Sequence, residues 1–130
     1  MRWSTISGSA ALLLVAFLLI VAAGQADDVC HVDLGRGWST GRGQGKIAMT
    51  NTGTGCGATL AADPDVAILV DDIQLTVRPK NGVVAVTPPR FKYTPDAGFT
   101  GSDTFSLSAR GRNRDGRPIE LHGVVAVEVR

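Results

Sequence analysis

Histidine, cysteine and long apolar runs are all scarce in this sequence, and each scarcity closes a class of function. The histidines are His31 and His122 alone. Neither lies in an H-E-x-x-H pattern and no nucleophile elbow is present, which excludes the commonest zinc and serine hydrolase arrangements. The cysteines are Cys30 and Cys56, without the C-x-x-C spacing of a metal knuckle or redox motif. Charge of one sign is not in excess: 13 Lys+Arg face 12 Asp+Glu, a balance that argues against nucleic acid as a partner. The neighbouring carboxylates Asp71 and Asp72 point apart on a pleated chain, so they form no acid/base pair. After the opening segment no stretch has useful helical amphipathicity, which disfavours helix-in-groove partners and membrane-surface helices. No catalytic residue, cofactor or metal is expected.

Glycine is plentiful between Gly35 and Gly45 (GRGWSTGRGQG). A phosphate-binding loop does not fit there: Gly45-Lys46 is followed by Ile47 rather than Ser or Thr, Thr40 stands where the first glycine belongs, and no G-x-G-x-x-G is completed. The segment reads as a mobile loop. Trp38 within it, flanked by Arg36 and Arg42, has two readings: an exposed surface for a sugar or partner, or a lid folded over the end of the domain.

The opening residues, 1–26, read as a secretory signal. Arg2 supplies the positive n-region, Ala10 to Ala23 is an apolar run, and Gly24-Gln25-Ala26 offers small residues for cleavage after Ala26. The run is shorter than the ~20 residues that span a bilayer core, so no stable span is expected after cleavage; an uncleaved anchor is the lesser reading. Asp27-Asp28-Val29 ahead of Cys30 is not a lipidation box. The expected location is periplasmic or secreted.

The remaining chain has the length of one domain. Its charge is uneven: Asp27 to Val77 holds seven acids and three bases, and Arg78 to Arg130 five acids and nine bases. In an oxidising compartment Cys30 and Cys56 read as a disulfide, which by loop entropy contributes roughly 3–4 kcal/mol. Residues 27–45 are read as an N-terminal strand, Val29 to Leu34, with its glycine-rich loop, and residues 46–130 as the sandwich proper.

Within 46–130, Lys46 to Thr50 reads as a short strand. A weak pattern at Ala58 to Leu60 breaks at Asp63-Pro64, and Val66 to Val70 follows, with a bulge or turn at Asp71-Asp72. Ile73, Leu75 and Val77 alternate with polar residues as a half-buried strand. Asn81-Gly82 has the composition of a tight hairpin turn between two apolar runs. Val83 to Thr87 is a strand that Pro88-Pro89 must stop or confine to an edge. Phe91 and Tyr93 share a buried face, Phe99 is an apolar plug, Gly101 can take a conformation closed to other residues, and Asp103 can cap a turn through its side chain. Phe105, Leu107 and Ala109 point inward. In the last strand Ile119, Leu121, Val125, Val127 and Val129 fall on one face, with Glu120, His122 and Glu128 on the other.

The run Asn81-Gly82, Tyr93-Thr94-Pro95, Gly98-Phe99, Gly101, Asp103 and Phe105 resembles the signature of bacterial Ig-like (cadherin-like) repeats of surface adhesins and small exported proteins. The resemblance implies an all-β, Ig-like antiparallel sandwich of about seven strands in which these signature residues are structural. Such repeats often carry an Asp-rich, calcium-binding segment ahead of the first hairpin. Only Asp63, Asp65, Asp71 and Asp72 stand there, without dense alternation, so calcium is not expected.

Function is then expected to be non-enzymatic: a module that binds or scaffolds another envelope or extracellular protein. The segment Arg110 to Pro118 reads as a hairpin loop bearing Arg110, Arg112, Arg114 and Arg117, at an end of the sandwich where such scaffolds place binding. The alternative is an anionic glycan or small ligand held by those arginines and Trp38. A third reading is a purely structural domain.

Overall fold

The computed structural model describes residues 29–61 and 69–130. The signal segment, and the break and first strand residues expected between 62 and 68, lie outside the described residues. Eight strands appear among those described: β1 (Cys30–Asp33), β2 (Gly43–Met49), β3 (Cys56–Thr59), β4 (Leu69–Val77), β5 (Gly82–Thr87), β6 (Arg90–Pro95), β7 (Gly101–Arg112) and β8 (Pro118–Val129). They form a sandwich of two sheets, one of five strands in the order β1-β2-β8-β7-β4 and one of three in the order β3-β6-β5. Neighbours are antiparallel except β2 and β8, which run parallel.

Period-two alternation builds these sheets, because successive strand residues point to opposite faces. In β8 the inward residues Leu121, Val125, Val127 and Val129 are buried while Glu120, His122 and Glu128 face solvent. In β7 Phe105, Leu107 and Ala109 point inward. From the smaller sheet Phe91 and Tyr93 meet them: the Phe105 ring packs edge-on to Phe91 at 6.0 Å and stacks on Tyr93 at 5.9 Å. The disulfide Cys30–Cys56 joins β1 to β3, an edge strand of each sheet, with Cα atoms 5.6 Å apart.

The glycine-rich segment is more ordered than its composition predicts. Residues Trp38–Thr40 form a 3-10 turn, and β2 begins at Gly43, inside the stretch read as loop. Here the glycines serve a ring. A side-chain carbon on Gly43 or Gly123 would sit 2.5 or 2.6 Å from Trp38, and one on Gly45 would touch its far edge. All three are inward positions, so their missing side chains make the seat that Trp38 fills.

Asn81-Gly82 is not a hairpin turn. β4 pairs with β7 in the larger sheet and β5 with β6 in the smaller, so the chain crosses between sheets there. Neither residue has a positive φ. Gly82 is required for space: a side-chain carbon would lie 2.6 Å from the Tyr93 ring and 2.7 Å from the Thr94 carbonyl oxygen. Gly82→Val is therefore expected to cost about 1–3 kcal/mol through overpacking, read as a lowered urea midpoint with an unchanged slope. The true hairpin is β5–β6, turned by Pro88-Pro89 with a cis peptide bond. Register shifts bracket Asp71 and Thr76, so β4 bulges where the Asp71-Asp72 pair stands.

Candidate functional site

Asp103 is the buried polar residue from which the signature region is organised. It is 7% exposed, and its carboxylate accepts four hydrogen bonds of 2.9 Å, from the backbone N–H groups of Lys80, Asn81 and Thr104 and from the Tyr93 hydroxyl. The turn it caps is the crossover at Lys80-Asn81. Burial pushes the carboxyl up, but the four donors outweigh burial and hold it below the usual carboxylate range. Burial, and then the hydrogen bond to Asp103, push the Tyr93 phenol up. The other signature residues lie close by. Pro95 ends β6 opposite Gly82, Phe99 packs partly buried against the core, and Gly98 and Gly101 hold φ of 76° and 129°. Asn51 spans this corner by donating from Nδ2 to the carbonyls of Asp96 and Phe99. In the sequence Asn51 only opens the turn-like run Asn51-Thr52-Gly53-Thr54-Gly55, which gives no sign of this contact.

The arginine segment forms a tighter structure than an open loop. β7 runs to Arg112 and β8 starts at Pro118, leaving a turn at 113–117. Asn113 shapes that turn, its Oδ1 accepting from the N–H of Asp115 and of Arg117 while its own N–H reaches the Arg117 carbonyl. Arg110 lies lower on the strand, 3.8 Å from Glu120, with His122 3.6 Å from the same carboxylate. Arg112, Arg114 and Arg117 are exposed and make no ion pair among the described residues. Leu69, opposite Arg112 on β4, is 70% exposed beside them.

Trp38 does not join this cluster. It is 0% exposed and donates from Nε1 to the Leu34 carbonyl at 2.6 Å. It is a core residue, so the reading of an exposed sugar or partner surface is corrected in favour of a ring folded inward. The signal was available in principle, since Gly43 and Gly45 stand two apart, as inward strand positions do.

Two shallow hollows mark the outer faces of the sheets. One of about 700 Å3 lies on the larger sheet, with Ser106, Val124 and Ala126 among its lining and Arg42, Lys46 and His122 also bordering it. The other, of about 550 Å3, lies on the smaller sheet around Arg90 and Lys92. Among the described residues no group of three metal-ligating side chains gathers, and no helix is long and apolar enough to cross a membrane.

A comparison with curated proteins finds no significant match. The family profile of the bacterial Ig domain matches residues 43–120, the greater part of the chain, in accord with the sandwich and the signature residues. The chain belongs to the bacterial Ig domain family.

Proposed function

We propose that this protein is a non-enzymatic, exported module that holds another envelope or extracellular macromolecule, and that the tip of the β7–β8 hairpin makes the contact. Membership of a family that is generally non-catalytic supports the first part. The disulfide supports export, because such bonds persist in oxidising compartments. The observation that carries the contact is the tip itself: a turn braced by Asn113 that presents Arg112, Arg114 and Arg117 without carboxylate partners among the described residues. Only Asp115 offsets their charge within the turn. Arginines on a braced support lose less freedom on binding than arginines on a mobile loop. They suit an acidic protein surface, with the exposed Leu69 as an apolar neighbour.

Crosslinking and pull-down from the native envelope tests this reading, comparing the wild type with an Arg112→Ala, Arg114→Ala, Arg117→Ala variant at low and moderate salt. A protein partner captured by the wild type and reduced at least tenfold by the variant is expected. Rim charges act mainly on association, so the loss is expected to be greater at low salt. Equal capture by both proteins would assign the arginines to solvated surface. Capture of nothing by either would favour a purely structural domain.

A further inference from the structure

Among the described residues, the strands of the smaller sheet carry charge of one sign on their outer face. On its central strand, β6, Arg90 and Lys92 point outward, and the register sets Lys92 between Ala85 and Gly57 and Arg90 between Thr87 and Thr59. The remaining outward residues, Val83 and Thr94, are also uncharged, so among the described residues no strand position on this face carries an acid. The larger sheet is different: its outer face mixes Arg110 and Lys46 with Glu120 and Glu128. Neither Arg90 nor Lys92 has an ion pair among the described residues. Both are positioned all the same. Arg90 donates from Nη1 to Thr59 Oγ1 at 3.3 Å, and the Lys92 stem lies across Gly55, where a side-chain carbon would sit 2.7 Å from it. Small neighbours leave the two cations standing over the hollow of about 550 Å3, which reaches the disulfide at Cys30.

We propose that this face binds an acidic polysaccharide chain, with Arg90 and Lys92 taking successive anionic groups. Two strand residues on one face stand about 7 Å apart, so the two cations can meet two charges of one extended polyanion. Thr87 and Thr59 add hydroxyls that can donate to or accept from sugar hydroxyls. A protein partner fits less well, because the face offers no aromatic or large apolar anchor beyond Val83. The proposal rests on the reading of the chain as a macromolecule-binding module, but it uses a different surface from the hairpin tip.

The test is titration of the full chain with polygalacturonate at about 20 and 150 mM salt, with neutral dextran and polyglutamate as comparison polymers. Three proteins are compared: wild type, Arg90→Gln/Lys92→Gln, and the triple tip variant. Wild type is expected to bind polygalacturonate, more weakly at the higher salt, and to ignore dextran. The Arg90/Lys92 variant is expected to lose at least tenfold in affinity with an unchanged melting curve, while the tip variant binds like wild type. Equal binding by wild type and the Arg90/Lys92 variant would overturn the proposal, as would an equal loss in the tip variant. Polyglutamate bound as tightly as polygalacturonate would make the face a general anion surface and sink the polysaccharide assignment. Failure here leaves the hairpin-tip reading standing, because the pull-down judges that separately.

Discussion

Trp38→Ala is expected to destabilise the protein by about 3–5 kcal/mol, the range for emptying a buried aromatic site. That is a large share of a domain's net stability of about 5–15 kcal/mol. The upper part of the range is expected because the cavity cannot collapse. The ring rests on Gly43, Gly45 and Gly123, which have no side chains to swing into the space, and these glycines lie in strands tied by their ladders. The variant also leaves the Leu34 carbonyl without the Nε1–H that it accepts from the indole. Trp38→Phe refills most of the volume and omits that bond, so a smaller loss of about 1–2 kcal/mol is expected. Urea unfolding followed by circular dichroism measures both. A loss below about 1 kcal/mol for Trp38→Ala would show that the ring is not a core element.

How much of this fold the sequence discloses depends on whether the partner of each residue is near or far in the chain. The faces of β8 are legible because Ile119, Leu121, Val127 and Val129 stand beside the polar Glu120, His122 and Glu128, which fix a register that the apolar run Val124–Val127 only continues. The inward set of β7 is legible for the same reason. The crossover at Asn81-Gly82 is not. Local composition reads as a tight turn, but the N–H of Asn81 is answered by Asp103, 22 residues later, and Gly82 makes room for Tyr93 rather than for a positive φ. The glycines of β2 mislead similarly: they look like flexibility and are a mould for an indole. The parallel pairing of β2 with β8 joins segments far apart in sequence, so no local signal announces it.

The candidate site was legible in its residues but not in its geometry. Arg112, Arg114 and Arg117 are visible as a basic cluster, but the two strands they flank extend further than Gly and Arg composition implies. Cross-strand register, with Arg110 opposite Glu120, carries the ladder to the last turn. Arg90 and Lys92 alternate with Phe91 and Tyr93 in the sequence, and that period of two alone turns them to the opposite face. That the described strand residues around them are uncharged follows only from knowing that β3 and β5 flank them.

Asp103→Ala is expected to cost about 3–5 kcal/mol at neutral pH, because it strands one buried donor and three that are partly buried. The donors are the Lys80 and Asn81 N–H groups at the crossover, the Thr104 N–H and the Tyr93 hydroxyl. Asp103→Asn keeps one acceptor oxygen but turns an amide N–H2 toward groups that donate, so about 2–3 kcal/mol is expected. Tyr93→Phe leaves the backbone bonds to the carboxylate in place and is expected to cost only about 1–1.5 kcal/mol. The pH dependence separates this arrangement from simple loss of packing. The folded carboxyl titrates below its unfolded value of about 3.9, so its contribution is complete above pH 4 and is lost as pH falls through the folded value. The Tyr93 phenol titrates above its unfolded value of about 10, so its contribution is complete below pH 10 and is lost as pH rises through the folded value. Urea midpoints between pH 2 and 11 are therefore expected to give a wild-type plateau with an acid and an alkaline limb. Asp103→Asn should narrow its gap to wild type as pH falls below 4, and Tyr93→Phe should flatten the alkaline limb. A profile for Asp103→Asn that runs parallel to wild type through the acid range would show that the carboxylate charge does not hold the crossover.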